Sequence, residues 1–214
     1  LKEKLSPSQY EAAAESTLTA FYTPKSVIDG VYEALDRMGF EKGNVLEPSC
    51  GVGSFMGSMP ESMKAAKVYG VELDEVSGEI AKRLYPENNV QVKGFEETTF
   101  SNNFFDIAVG NVPFGEFKVN DRAYDKNNFM IHDYFFAKSI DKVRSGGVIA
   151  FVTSSGTMDK KDDSIRRYIG ARCELLGAVR LPNDTFKGMA GTEVTSDIIF
   201  LKKKDSVIEK DEPW

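Results

Sequence analysis

Apolar residues recur along the chain with two spacings, one typical of amphipathic helices and one typical of buried strands. The helical spacing is clearest before residue 40, where the apolar stripe consists of Val27, Ile28, Val31, Leu35 and Met38. We expect Thr23 to cap this helix, Pro24 to occupy its first turn and Gly39 to end it. A helix is therefore predicted before the first strand.

Short apolar runs predict strands at residues 44–47, 68–73, 90–92, 104–109, 148–153, 175–181 and 198–201. Helices are predicted from about residue 54 and at residues 74–84, 131–143 and 163–169. Strands that alternate with helices indicate an α/β fold, a mostly parallel sheet with helices on both faces. Ligands of such sheets bind beyond the carboxyl ends of the strands, so functional residues are expected directly after strands.

The composition is that of one soluble globular domain, with 214 residues of which 41% are hydrophobic. No apolar run approaches the ~20 residues that a membrane-spanning helix needs, and no leader resembles a signal peptide, so we expect a cytoplasmic protein with no membrane partner. Cys50 and Cys173 are too few for a disulfide framework. With His132 as the sole histidine, no metal site is expected.

The net charge of −6 argues against a surface that holds nucleic acid by charge alone. The chain begins at Leu1 without an initiator Met and stops at Trp214 soon after an apolar strand. We therefore expect further domains on one or both sides, which would help to hold any nucleic acid substrate.

A glycine-rich turn follows the first predicted strand, with the sequence EPSCGVGSF at residues 47–55. Its glycines allow a sharp turn and a close approach of a ligand to a helix N-terminus. The second strand ends at Glu72, a carboxylate that can accept both ribose hydroxyls of a nucleoside. A tight strand-to-helix connection and a solvated acid are the alternatives for these two features when each is taken alone.

These residues resemble the first motif of gamma-class adenine DNA methyltransferases, and FYTP at residues 21–24 resembles the motif that precedes it in that class. The resemblance implies a Rossmann-like class I methyltransferase fold and S-adenosyl-L-methionine as the cofactor. It implies that Thr23, Glu47 and Gly51 contact the methionine part, and that Glu72 with Leu73 contacts the ribose and adenine. The implied cofactor residues are Thr23, Glu47, Pro48, Ser49, Gly51, Gly53, Glu72, Leu73, Phe95, Glu96 and Asn111.

The sequence departs from the family after the third strand, where an Asp commonly follows a glycine and binds the adenine amine of the cofactor. Here Gly94 is followed by Phe95 and Glu96. Either Phe95 packs against the adenine or Glu96 reaches it, and a solvated Glu96 is an equal alternative.

A second turn follows the strand at residues 104–109 and contains Asn111, Val112, Pro113 and Phe114. It resembles the Asn-Pro-Pro-Tyr/Phe motif of amine methyltransferases, with valine in place of the first proline. Acceptors at Asn111 and at the carbonyl of Val112 would draw the hydrogens of a poorly nucleophilic aromatic amine toward tetrahedral geometry. Phe114 offers a flat face for an extruded base.

The resemblance covers residues 20–203, in the order of the gamma class, and extends to the helix from residue 131 and the late loop at residues 186–197. It implies an N-terminal extension at residues 1–20, a catalytic domain at 21–204 and a tail or linker at 205–214. Within the family the chain most resembles the methylase segment of large methylase-helicase proteins of phages and conjugative elements. This implies a bacterial or phage mobile-element protein that acts on DNA, with target-recognition or helicase regions in a longer chain.

Several residues have simpler interpretations. His132 is expected to be a packed or capping residue rather than a catalytic one. We call the turn at residues 111–114 the catalytic turn. The cations that follow it are Lys118, Arg122 and Lys126, which either contact phosphates or lie in a solvated loop. A second basic cluster, Lys160, Lys161, Arg166 and Arg167, is expected to be a solvated helix face.

Two other functions remain open from the sequence. Methyltransferases that act on an RNA base or on a protein glutamine use a similar turn, although their first motif usually opens with Asp. Alternatively, the domain is a catalytically weak module that binds cofactor or DNA inside a larger protein, with Val112 and Phe95 as signs of decay.

Overall fold

The computed structural model describes residues 23–113, 115–186 and 195–208. Seven strands form the centre of the domain: β1 Asn44–Glu47, β2 Lys67–Glu72, β3 Asn89–Val92, β4 Phe105–Asn111, β5 Val143–Ser154, β6 Cys173–Arg180 and β7 Ser196–Lys203. The α-helices of the described residues are α1 Lys25–Arg37, α2 Ser54–Gly57, α3 Glu75–Leu84, α4 Ile131–Lys142, α5 Gly156–Asp159 and α6 Ser164–Arg172. Single 3₁₀ turns lie at Glu61–Met63, Phe95–Glu97 and Asp125–Asn127.

The strands form one sheet in the order β3-β2-β1-β4-β5-β7-β6. Pairings from β3 to β5 are parallel, whereas β7 runs antiparallel to both β5 and β6. The predicted mostly parallel sheet is confirmed. The strand order reverses between β1 and β4, and this switch point is where open α/β sheets bind their ligands.

Helices cover both faces of the sheet, as predicted. Apolar side chains of α1 and α3, among them Leu35 and Ala81, pack with Val45 of β1 in one core cluster. Side chains of α4 and α6 pack on the other face, where the ring centroids of Phe136 and Phe151 lie 5.2 Å apart. Each fully buried side chain of this size contributes about 1.5–3 kcal/mol by removal from water.

The fifth strand is longer than predicted, because β5 begins at Val143 instead of residue 148. Its pairing with β4 shifts register between Phe105 and Ile107. Gly146 has a φ of +74°, and a Cβ on Gly147 would lie 2.5 Å from the carbonyl oxygen of Asp106. The two glycines therefore belong to an irregularity inside the strand, where the prediction placed a loop before it.

The N-terminus of α1 also differs from the prediction. Pro24 is the N-cap, and its carbonyl accepts hydrogen bonds from the backbone N–H groups of Val27 and Ile28 at 3.0 and 3.2 Å. No side-chain hydrogen bond caps the helix, so the expectation that Thr23 caps it is wrong. Met38, predicted in the apolar stripe, is 45% exposed at the other end of the helix.

Within the part of the chain that the structure describes, no helix is long and apolar enough to cross a membrane, and no group of three or more His, Cys, Asp and Glu side chains is placed to hold a metal ion. Part of the predicted tail at 205–214 lies against the domain, since the backbone N–H of Ile208 donates to the carbonyl of Ala171 at 2.8 Å.

Candidate functional site

Three of the predicted site residues are the last residues of neighbouring strands. Glu47 ends β1, Glu72 ends β2 and Asn111 ends β4, all at the carboxyl edge of the sheet. β1 pairs with β2 on one side and with β4 on the other. The topology therefore brings residues that are 64 positions apart in sequence (111 − 47) to one switch point.

The glycine-rich turn after β1 is held by backbone hydrogen bonds. The N–H of Cys50 donates to the carbonyl of Val71 at 2.9 Å, and that of Gly53 donates to the carbonyl of Cys50 at 2.8 Å. Gly51 and Gly53 have φ values of +55° and +87°, which favour glycine. A Cβ on Gly53 would also lie 2.5 Å from the ring of Tyr85. The turn thus needs glycine at position 53 for both its backbone conformation and its packing.

The carboxylate of Glu72 joins this turn to the end of β2. Its Oε2 accepts a hydrogen bond from the N–H of Gly51 at 2.7 Å, and its Oε1 accepts one from the N–H of Asp74 at 2.8 Å. Burial raises the pKa of Glu72, and the two backbone donors oppose that shift. Each oxygen keeps a second lone pair, so the group can still accept hydrogen bonds from the hydroxyls of a ribose.

Glu47 is only 2% exposed, and among the described residues its Oε2 has no hydrogen-bond partner. Burial raises the pKa of Glu47 well above its ordinary value, and the nearby charge of Glu72 adds to the rise. A buried carboxyl group with an unsatisfied oxygen is costly unless a partner compensates it. The methionine part of S-adenosylmethionine carries an ammonium group of the complementary charge, so the residues present fit this cofactor.

The glycine-rich turn after β1, at residues 48–53, is called the cofactor turn below. It contacts the catalytic turn directly. The hydroxyl of Ser49 donates to the backbone carbonyl of Asn111 at 2.8 Å. Gly110, with a φ of +151°, lies so close to Glu47 that a Cβ would be 3.5 Å from its Cγ. The N–H of Val112 donates to the carbonyl of Val152 at 3.0 Å, which extends the pairing of β4 with β5 past Asn111. The structure therefore brings Glu47, Ser49 and Asn111 together as predicted.

Other predicted residues surround this centre. Val112 is buried in the core, and Pro113 is partly exposed. Phe114 lies outside the described residues. Pro48 and Thr23 are buried, and the role of Thr23 toward the cofactor stays a prediction.

The segment after β3 is the predicted adenine end of the pocket. Phe95 is buried, and its ring centroid lies 5.1 Å from that of Phe135. The carboxylate of Glu96 folds back over Gly94, where it would collide with any Cβ. Leu73 is 75% exposed directly after β2, which leaves an apolar surface for a ring to cover. Contacts of Phe95, Glu96 and Leu73 with adenine stay predictions.

The expectation that His132 is a packed residue agrees with the structure. The imidazole is buried on α4, burial lowers its pKa, and its Nε2 lies 3.3 Å from Oδ1 of Asp133. In the second basic cluster, Lys160 pairs with the buried Asp133, and Arg167 pairs with Asp163 at 2.9 Å. The expected solvated helix face is thus only partly correct, because Lys160 belongs to a half-buried ion pair.

Lys138 and Asp121, which link the loop after the catalytic turn to α4, were not predicted from the sequence. Lys138 is buried, and its Nζ lies 2.9 Å from Oδ2 of Asp121. One signal was available: Lys138 is the only Lys or Arg among residues 131–140, a segment that predicted a buried helix. A cation in such a place requires a partner.

Comparison with known proteins begins with a family model, that of the N-6 DNA methylases, which matches residues 8–213. Among curated relatives, the Defense against restriction protein B of Escherichia phage P1 is 34% identical over 202 residues, which are 90% of this chain and 9% of that protein. The Modification methylase CviBIII of Paramecium bursaria Chlorella virus NC1A is 30% identical over 141 residues, 63% of this chain and 37% of that protein. The chain thus spans a minor part of both relatives.

Among solved structures, a protein from Listeria monocytogenes named as a class I S-adenosylmethionine-dependent methyltransferase has a TM-score of 0.73 with this chain. The match covers 99% of this chain and 73% of that one, at 16% sequence identity. The likeness shows that the fold is the Rossmann-like class I methyltransferase fold, in agreement with the prediction.

Proposed function

Because the chain belongs to the N-6 DNA methylase family, we propose that this domain transfers a methyl group from S-adenosylmethionine to the N6 amine of adenine in DNA. One observation carries the proposal. The buried Glu47 carboxyl and the Asn111 turn meet at the switch point, where the hydroxyl of Ser49, two residues after Glu47, donates to the backbone carbonyl of Asn111 at 2.8 Å. A charged group for the cofactor and neutral acceptors for an amine thus share one edge of the sheet.

Residues on the cofactor side bind and orient S-adenosylmethionine. Glu47 takes the ammonium of the methionine part, Glu72 takes the ribose hydroxyls, and the turn from Pro48 to Gly53 lets the ligand approach the backbone. Leu73 and Phe95 cover the adenine. When bound, S-adenosylmethionine supplies a methyl group attached to a positively charged sulfur. Glu47, Glu72, Leu73 and Phe95 are all residues that the sequence also selected.

Residues on the target side act on the amine. The side-chain oxygen of Asn111 and the carbonyl of Val112 accept its two hydrogens, which favours a nitrogen with a localised lone pair. Pro113 stiffens the turn, and Phe114 stacks on the base once it has left the duplex. No side chain needs to act as a general base, because the methylated ammonium is strongly acidic and releases its proton after the transfer.

DNA is held by more than this domain. With a net charge of −6, the domain supplies little of the phosphate neutralisation on which non-specific affinity depends. We propose that target-recognition or helicase regions of a longer chain contribute the rest. The phage P1 relative supports this proposal, because the region similar to this domain is only 9% of that protein. Residues 1 to 214 alone should then show little retention of DNA in a gel shift at physiological salt.

The proposal is tested by expressing the polypeptide that carries this sequence in cells that lack adenine methylation. Nucleosides from their DNA are separated and identified by mass spectrometry. We expect N6-methyldeoxyadenosine with the unaltered protein and none above background with Asn111→Ala. The matched control is Asn89→Ala, which changes the same residue type at an exposed position at the start of β3, away from the carboxyl edge of the sheet.

Three results would contradict the proposal in different ways. Methylated cytosine in place of methylated adenine would overturn the substrate base. Methylated RNA or methylglutamine in protein, with unmodified DNA, would favour the other planar amines. Unmodified DNA, RNA and protein together with normal cofactor binding would indicate a binding module without catalysis.

A further inference from the structure

A buried lysine on α4 contacts two segments that are far apart in the chain. Lys138 is 3% exposed, although it carries a charge. Its Nζ donates to Oδ2 of Asp121 at 2.9 Å and to the backbone carbonyl of Glu96 at 3.2 Å. It also lies 5.0 Å from the centre of the Phe95 ring, within the range of a cation–π contact. One ammonium group therefore joins three elements.

The two segments lie on opposite sides of the proposed reaction. Phe95 and Glu96 form the 3₁₀ turn after β3, the predicted adenine end of the cofactor pocket. Asp121 belongs to residues 115–128, which follow the catalytic turn and which we call the target loop. The target loop is also bonded to the start of α4, because the N–H of Ile131 donates to the carbonyl of Phe117 at 2.9 Å.

Asp121 is the point at which the target loop is attached to the core. Besides Lys138, its Oδ2 accepts a hydrogen bond from the hydroxyl of Tyr134 at 2.8 Å, and its Oδ1 accepts one from the N–H of Ala123 at 3.1 Å. Burial alone would raise the pKa of Asp121, but the hydrogen bonds from Lys138 and Tyr134 outweigh it, and the net shift is downward. The carboxylate stays ionised as the partner of the lysine.

Stability alone does not explain this arrangement. A buried ion pair contributes little net stability, since the cost of removing both charges from water offsets their attraction. An apolar side chain would fill the same space among Phe95, Tyr134 and Phe135 at a lower cost. What the ammonium adds is directional contact with a carboxylate on one side and a carbonyl on the other.

We propose that Lys138 is a positioning residue that couples occupation of the adenine end of the cofactor pocket to the order of the target loop. An adenine that packs on Phe95 and Glu96 fixes the carbonyl and the ring that hold Lys138, and Lys138 in turn fixes Asp121. The loop beside the catalytic turn is then set for the target when cofactor is bound. The coupling is reciprocal by linkage, and it rests on the proposed function for the position of the cofactor adenine and for the identity of the target.

Hydrogen exchange tests the coupling without any DNA. S-adenosylhomocysteine, the demethylated product, is added to the protein, and the exchange of amides in residues 115–128 is followed by mass spectrometry. With a coupling of typical size, exchange in the target loop should slow by about 5-fold or more in the unaltered protein. In Lys138→Met the slowing should fall below about 2-fold, while calorimetry shows the product still bound.

Two further variants make the test specific. Lys142→Met removes a partly exposed lysine one turn along α4, whose Nζ bonds Asn102 at 2.7 Å, and it should leave the loop response unchanged. Asp121→Asn keeps the shape of the acceptor but removes its charge, and it should weaken the response in the same way as Lys138→Met. It serves as the deciding variant if Lys138→Met does not fold.

The inference is overturned if a folded Lys138→Met or Asp121→Asn protein keeps the full loop response to the product. It is also overturned if the unaltered loop does not respond to a bound product at all. Failure of the proposed function gives a different result, which is an intact loop response in a protein that leaves adenine unmethylated.

Discussion

The two sides of the switch point use opposite kinds of chemistry. On the cofactor side, β1 ends in the buried carboxyl group of Glu47 and β2 ends in the half-buried carboxyl group of Glu72. On the target side, β4 ends in the neutral amide of Asn111, and the next residue, Val112, is part of the core. The charged cofactor is thus bound by carboxyl groups. The target amine, which becomes positive only during the reaction, is instead bound by the fixed dipoles of an amide and a backbone carbonyl. Substitutions on the cofactor side should therefore weaken cofactor binding, and substitutions on the target side should slow turnover.

The largest effect is expected for Asn111→Ala. Its acceptor matters most as positive charge develops on the target nitrogen, so turnover should fall by about 100-fold or more, by analogy with removal of an oxyanion-hole donor. Affinity for S-adenosylhomocysteine should change little, because Ser49 bonds the backbone carbonyl of Asn111, which the substitution keeps. Single-turnover methylation and calorimetry on the same preparation measure the two quantities. A large loss of cofactor affinity would contradict the separation of cofactor binding on one side of the switch point from turnover on the other.

Glu47→Gln should show the reverse pattern, with an affinity loss of about 1.5–3 kcal/mol for the cofactor, the typical contribution of a charge-assisted hydrogen bond. The pKa of Glu47 is raised, so cofactor binding to the wild type should strengthen as pH rises and the carboxyl ionises, with proton release. The variant should lose that pH dependence. Calorimetry in two buffers of different ionisation enthalpy measures the released proton.

The same substitution predicts a change in stability. In cofactor-free wild type, a raised folded-state pKa gives stability that is complete below the ordinary value of 4.5 and is lost as pH rises through the folded value. Glu47→Gln removes this loss, so its melting temperature should exceed that of the wild type at pH 8, with the difference shrinking toward pH 5. Equal melting temperatures at both pH values would mean that Glu47 does not titrate as its burial implies.

Glu72→Ala should weaken cofactor binding by about 1–3 kcal/mol through loss of hydrogen bonds to the ribose. The substitution also leaves the N–H groups of Gly51 and Asp74 without their acceptor. Glu72→Gln is the matched control, since its amide oxygen can still accept from one of them. Isothermal titration should rank the affinities as wild type, Glu72→Gln and Glu72→Ala, and identical affinities would remove Glu72 from the pocket.

Two glycines, one in the cofactor turn and one on α1, should change the stability of the protein in opposite directions. Gly53→Ala places a Cβ against Tyr85 at a φ of +87° and should cost about 1–3 kcal/mol of stability. Gly30 lies on the exposed side of α1 with open space around its Cα, so Gly30→Ala should stabilise by about 0.4–1 kcal/mol. Urea denaturation measures both. A neutral Gly53→Ala would show that the cofactor turn tolerates other backbone conformations.

The sequence was informative where structure repeats a local pattern. Helical and strand periodicity located the strands within a few residues, and the motifs at Glu47 and Asn111 predicted which strand ends form the site. Local patterns could not show that Gly146 lies inside a strand, because paired glycines also typify loops. Nor could they pair Lys138 with Asp121, since these residues are 17 positions apart and meet only after the target loop folds back on α4.

The position of β7 has a consequence for synthesis of the protein on the ribosome. It is the last strand of the described residues, yet it lies between β5 and β6, where it pairs with one edge of β5 and is the partner of β6 in the sheet. A nascent chain that has reached residue 195 therefore holds an open edge on β5 and a β6 segment without its partner, and open strand edges are templates for aggregation. Proteins whose contacts join distant parts of the chain also fold slowly. Translation must pass residue 203 before this sheet can close, so chaperones would have their greatest effect just before that point.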